Sequence, residues 1–286
     1  MSIIEEAFRK TAQHHHQRPP APDREAVLSA ARRPRQSSAP VDATQALRFR
    51  PVTLDPQILQ DNNVLSELAD AAALRAYKIL RTRVLRRLEA QQWNSLAITG
   101  VTPGEGKTLT AINLAMALAQ EQNTWVFLVD LDLQRPSVAS YLGLSGLHGE
   151  QGLSDYLQGD ATIENITYRL DIGRLAVIPN FTATANSSEL LTSPRMQQFV
   201  QTLEAEMPRR IIIFDMPPVL AADDVMAFAP QVDSFLLVVA EGKTGRDALR
   251  GAKEVLAEMN LLGVVLNRSA DRGSESAYYY LGPRKE

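Results

Sequence analysis

The sequence predicts an α/β fold, a mostly parallel sheet with helices on both faces. Two observations predict it. From Trp93 onward, short β-branched runs alternate with amphipathic segments. Several of those runs are apolar throughout, as strands buried on both faces are. In such folds ligands bind beyond the carboxyl ends of the strands. The places where the apolar runs end are therefore where chemistry is expected.

The elements follow in chain order. Residues 2–12 form a short helix that Ser2 can cap, with Glu5 and Glu6 in the first turn where the helix dipole favours acids. Ile3, Ile4, Ala7 and Phe8 fall on one face. A helix this short is marginal alone, so it reads as a docking segment for a partner or as a frayed terminus. Residues 13–60 read as a disordered, mildly basic, proline-rich linker, since such a composition buries too little apolar surface to offset its ordering entropy. Solvation, or weak attraction to the inner membrane face, accounts for its charge. His14, His15 and His16 are adjacent in that segment and do not converge as a metal site.

A long helix is expected over Leu65–Gln91, rich in Ala, Leu and Arg. Leu74, Tyr77, Leu80, Val84 and Leu88 make its core stripe. Arg75, Lys78, Arg81, Arg83, Arg86 and Arg87 make a basic face, either solvated or an interface between subunits. Strands are expected over 95–100, 125–130, 175–179, 210–215, 234–240 and 262–267, and helices over 107–120, 195–206 and 246–259. The compact domain is set at 61–270, with a tail over 271–286.

Composition removes several function classes. The 286 residues carry 30 Lys+Arg and 33 Asp+Glu, a formal charge of −3, so bulk attraction to nucleic acid is not expected. The charge is uneven: residues 1–92 hold 15 basic and 10 acidic residues, the remainder 15 and 23. With no cysteine, disulfides, thiolate zinc sites and thiol nucleophiles are excluded. No apolar run approaches the ~18 residues of a membrane span, and the acidic start MSIIEEAFRK is unlike a signal peptide. A cytoplasmic protein is expected.

The first strand runs into Gly100-Val-Thr-Pro103-Gly104-Glu105-Gly106-Lys107-Thr108-Leu109, followed at once by an amphipathic helix. That is a phosphate loop in its proper setting, and it makes the fold a P-loop nucleotide-hydrolase fold. Gly104 and Gly106 let the backbone close around phosphate oxygens, and N–H groups at the helix start face the anion. Lys107 suits the terminal phosphates and the Thr108 hydroxyl suits Mg²⁺. The strict spacing wants glycine at 101, where Val101 stands; the glycine is one residue earlier.

The second strand ends in Asp130-Leu-Asp132, whose alternation sets both acids on one side. Two acids at a buried strand end are costly without a cation. A Mg²⁺ would offset them and one could accept a proton; capping of the next turn is the other reading. Asp215 closes the run Ile211–Phe214 and reads as a second acid on the metal side. Asn267 ends the last strand and is a candidate for reading the adenine edge, or a turn residue. Tyr278, Tyr279 and Tyr280 lie near the terminus among Gly, Ser, Pro and charge, which suits phosphoacceptors. A tail of about 17 residues reaches roughly 55 Å at ~3.3 Å each, so its own or a neighbouring site is within range.

Together, GVTPGEGKT, DLDLQRP, GLSDYLQGD (152–160), NSSELLTSPRM (186–196), IIIFDMPP and the terminal tyrosines resemble the bacterial tyrosine kinases of exopolysaccharide assembly. The MSIIEEAF start and proline-rich linker resemble members whose membrane partner, a chain-length-determining protein, is a separate chain. The resemblance implies an ATP- and Mg²⁺-dependent autokinase, peripheral at the inner membrane. Asp130 would be its base, Asp132 the metal-side companion, Thr108 and Asp215 metal ligands, and Tyr278, Tyr279 and Tyr280 acceptors. It also implies a homo-oligomeric ring that feeds one tail into the next site. Two departures stand out: Gln134 occupies a position where the family has Arg, and Arg75 reverses the charge of the family's Glu on the assembly helix, followed by Lys78 and Arg81. An assembly ATPase of the division-site or partition type, with water as acceptor, is the alternative reading, and a non-catalytic regulator of a polysaccharide export channel is a third.

Overall fold

The structure is a computed structural model that describes residues 49–66, 69–147, 149–207 and 209–269. Among them, eight strands form one sheet: β1 (Arg50–Val52), β2 (Ser95–Gly100), β3 (Trp125–Asp130), β4 (Tyr168–Leu170), β5 (Leu175–Ile178), β6 (Arg210–Asp215), β7 (Ser234–Ala240) and β8 (Leu261–Asn267). Their order is β1-β4-β5-β3-β6-β2-β7-β8. Every pair is parallel except β4 with β5. All six expected strands are present within a residue of their expected ends.

Alternation along the central strands divides the core in two. Leu96, Ile98, Val126, Leu128, Ile211 and Ile213 face one layer; Ala97, Phe127, Val129, Ile212 and Phe214 face the other. This is the period of two seen from both sides, and it is why these strands read as continuous apolar runs. The first layer holds α2 (Ala71–Gln91) and α3 (Lys107–Leu118). Val84 and Leu88 of α2 are buried there, with Leu74, Tyr77 and Leu80 packed alongside, as the core stripe requires. The second layer holds α5 (Pro194–Glu206) and α6 (Arg246–Val255); Ser193 caps α5 by accepting from Met196 N at 3.1 Å.

Two expectations change. Residues 49–60 do not belong to a linker: Phe49, Leu54 and Leu59 are buried, and Phe49 meets Phe127 edge-on with ring centroids 6.3 Å apart. β1 extends the sheet against β4. Then α1 (Pro56–Asp61) starts on Asp55, which accepts from Gln57 N at 2.8 Å, with Pro56 at the first helical position. Three apolar side chains at wide spacing found a core that their polar, proline-rich surroundings hid. The long helix, expected from Leu65, begins at Ala71. The 2–12 helix, residues 13–48 of the linker and the 271–286 tail with Tyr278, Tyr279 and Tyr280 lie outside the described residues. No helix among the described residues is long and apolar enough to cross a membrane.

Candidate active site

β2, β3 and β6 are neighbours in the sheet, so their carboxyl ends converge. β2 delivers the phosphate loop, β3 delivers Asp130 and Asp132, and β6 delivers Asp215. Register sets Asp130 directly across from Asp215. A cavity of about 370 Å³ opens over these ends, lined by Pro103, Gly104, Gly106, Lys107, Thr108 and Leu109 of the loop, by Asp132, Gln134, Arg135 and Ser137 after β3, and by Pro217 and Pro218 after β6.

Within the loop, Gly104 (φ +79°) and Gly106 (φ +89°) are left-handed, a region that favours glycine. Glu105 turns away from the cavity and is almost fully buried. Its carboxylate accepts from Val101 N (2.5 Å), Thr102 N (3.1 Å) and the hydroxyls of Thr102 (3.0 Å) and Thr244 (2.5 Å). This explains the displaced glycine. A Cβ on Gly100 would sit 2.8 Å from Glu105 Oε2, whereas Val101 packs its side chain into the core.

Lys107 Nζ lies 2.8 Å from Asp132 Oδ2, 3.7 Å from Asp215 Oδ1 and 3.2 Å from the Thr108 hydroxyl. The Ser137 hydroxyl donates to Thr108 Oγ1 at 3.2 Å. Two carboxylates thus flank one ammonium whose side chain is only 11% exposed. Burial opposes the Lys107 charge, but Asp215, Asp132 and Asp130 outweigh it and its pKa is raised. Burial, and then the charge of Asp215, push Asp130 up to about 8 against its backbone donors and Lys107. Burial also raises Asp215, while the Lys107 charge and the Thr108 hydroxyl hold it back. Neither Asp215 oxygen completes a hydrogen bond. An unfilled, fully buried carboxylate beside a threonine hydroxyl and a second acid is a hard-oxygen donor set, which suits Mg²⁺. Among the described residues no three acidic or histidine side chains converge as a metal cage; a cation here would take most of its shell from phosphate and water, as Mg²⁺ does.

The structure gives two expected residues different work. Asp130 does not line the cavity. Its Oδ2 accepts from Ser137 N and Val138 N, both at 3.0 Å, and Oδ1 from Asp132 N at 3.2 Å. It holds the N–H groups at the start of α4 (Val138–Tyr141) and fixes the turn that carries Asp132. The acid that meets the cavity is Asp132. Asn267 does not present a free amide edge: Nδ2 donates to Glu105 O at 2.8 Å and Oδ1 accepts from Arg268 N at 2.9 Å.

Sequence reasoning missed Lys243, whose Nζ donates to Pro103 O (2.9 Å) and Gly104 O (3.1 Å). It also missed a buried knot behind Gln134. There Gln134 Nε2 donates to Ser187 Oγ (2.9 Å), which donates to Asp224 Oδ1 (2.8 Å). Neither set leaves a local signal, because each joins segments that only the sheet order brings together.

Loop, lysine, hydroxyl and paired acids at adjacent strand ends define a P-loop nucleotide-binding α/β protein. A family model described as an AAA domain matches residues 94–270. The chain is 34% identical over 206 residues to tyrosine-protein kinase YwqD of Bacillus subtilis (strain 168), covering 71% of this chain and 84% of that one. It is 32% identical over 217 residues to tyrosine-protein kinase Etk of Escherichia coli (strain K12), covering 73% of this chain but 28% of the other. The solved kinase domain of VpsO is 31% identical with a TM-score of 0.60, over 69% of this chain and 94% of that domain. The chain belongs to the bacterial tyrosine kinase family and carries an AAA domain. It spans most of YwqD and little more than a quarter of Etk.

Proposed function

We propose that the protein is an ATP-dependent protein-tyrosine kinase that phosphorylates its own terminal run Tyr278, Tyr279 and Tyr280 and thereby tunes exopolysaccharide or capsule assembly. The observation that carries this reading is the Lys107 ammonium held between Asp132 and Asp215 at the floor of a cavity walled by the phosphate loop. The backbone N–H groups of Gly104, Glu105, Gly106, Lys107, Thr108 and Leu109 would hold the phosphates, with Pro103 shaping the loop; Thr108, Asp132 and Asp215 would hold Mg²⁺, which would supply positive charge to the transferring group. Lys107 offsets the remaining phosphate charge. Asp132, at the cavity wall, orients the incoming phenol and accepts its proton. Asp130 acts through Asp132 by fixing its turn.

Each phosphotyrosine adds about −1.5 to −2 charges. A tail so charged is repelled from a site rich in carboxylates, so modification releases it. On this reading the chain assembles with copies of itself and works at the inner membrane face through a chain-length-determining partner. The test is phosphotyrosine detection after incubation with MgATP. Wild type labels; Lys107→Met does not; the triple Tyr→Phe variant at 278, 279 and 280 loses most of the label. Phosphate release without any phosphotyrosine would identify an assembly ATPase instead and overturn the kinase reading.

A further inference from the structure

The phosphate loop is gripped from outside by two residues that lie far along the chain. Lys243 Nζ donates to the carbonyls of Pro103 and Gly104, at 2.9 and 3.1 Å. Asn267 Nδ2 donates to the next carbonyl, Glu105 O, at 2.8 Å. Three successive carbonyls thus face outward onto fixed donors. No peptide bond among the described residues is cis, and in a planar trans peptide the N–H points opposite to its C=O. Holding Pro103 O, Gly104 O and Glu105 O outward therefore turns the N–H groups of Gly104, Glu105 and Gly106 inward, toward the cavity. Successive inward N–H groups make an anion-binding concavity.

The glycines confirm how closely the two side chains approach. A Cβ on Gly104 would sit 2.5 Å from Lys243 Nζ, and one on Gly106 would collide with Asn267 Nδ2. Glycine is needed there for its left-handed φ and because the grip closes on that side. The sheet places both arms. Lys243 follows β7 in a tight turn in which Lys243 N and Thr244 N both donate to Ala240 O, at 3.2 and 3.0 Å. Asn267 ends β8. β7 lies beside β2, and β8 beside β7. No carboxylate among the described residues pairs with Lys243, so its charge acts on the loop peptides.

We propose that Lys243 and Asn267 are positioning residues that pre-set the phosphate loop for an anion. This rests on the nucleotide-site reading above and assigns Asn267 to the loop backbone, away from the adenine edge. A pre-set donor array binds without a reorganisation cost, so the clasp lowers the Kd for phosphate, whichever base is attached.

The test uses the full chain and two probes, MgATP and inorganic tripolyphosphate with Mg²⁺, the second having no base. Binding is measured by calorimetry for wild type, Lys243→Met, Lys243→Arg and Asn267→Asp. Lys243 is exposed, so Lys243→Met is expected to fold; thermal melting checks each variant. The clasp predicts that Lys243→Met weakens both probes by the same factor, roughly tenfold, the scale of a charge-assisted hydrogen bond, and that Asn267→Asp likewise weakens both probes equally. Lys243→Arg restores most of the loss. In the nucleotide-free protein, amide hydrogen exchange across 103–107 rises in Lys243→Met. Unchanged tripolyphosphate binding in a folded Lys243→Met overturns the clasp. Loss of MgATP alone in Asn267→Asp returns that residue to base reading and also overturns it. Wild-type protein that binds neither probe overturns the nucleotide site, and the clasp with it.

Discussion

Replacing Lys107 by Met removes the one ammonium among Asp130, Asp132 and Asp215. The side chain lies 2.8 Å from Asp132 and 3.7 Å from Asp215, and is only 11% exposed. Breaking a buried pair by removing one partner costs about 3–5 kcal/mol, because the charges left behind stay buried. For a domain of this size a kilocalorie shifts Tm by about 2–4 °C, so a fall on the order of 10 °C is expected above pH 8. The cost depends on pH with a definite sign. Asp130 is raised to about 8 and Asp215 is raised as well. A carboxyl whose folded pKa is raised contributes stability that is fully present below its unfolded value and is lost as pH rises through the folded one. In Lys107→Met both acids rise further, since the charge that held them down is gone. They then take up protons in the folded protein as pH falls, and the penalty shrinks. Melting of wild type and Lys107→Met at pH 8.5 and 5.5, followed by circular dichroism, checks this. The difference in Tm should fall by more than half at the lower pH. An equal difference at both values, or none at either, would refute the reasoning that the site is a buried carboxylate cluster balanced by one lysine.

Two more predictions follow from particular contacts. Glu105→Ala leaves four donors of the loop and Thr244 without their acceptor; nucleotide affinity measured by calorimetry should drop at least tenfold, with ~1–3 kcal/mol of stability lost for each donor that water fails to reach. Phe49→Ala should cost on the order of 3 kcal/mol in urea melts, as a buried aromatic does; a neutral result would return residues 49–60 to the linker they were expected to be.

The sequence by itself determined the layer architecture, six of the eight strands and the identity of the chemistry. Parallel strands buried on both faces must be apolar throughout, and a phosphate loop must be written in consecutive residues, so both are local in the chain. The positions of Lys107 and Thr108 were legible from the consecutive residues of the loop, and those of Asp132 and Asp215 from lying where an apolar run stops. β1 and β4 were not, since strands of three residues gain their stability from their neighbours and carry no period of their own. Asp130 shows the limit most clearly: its place at a strand end was readable, but whether its carboxylate faced the cavity or the N–H groups of Ser137 and Val138 depended on how the following turn folds back. Lys243 and Asn267 meet the loop only because β7 and β8 lie in order beside β2. That order is set by which sheet neighbours bury the most apolar surface together, a sum over the whole core that no single segment records.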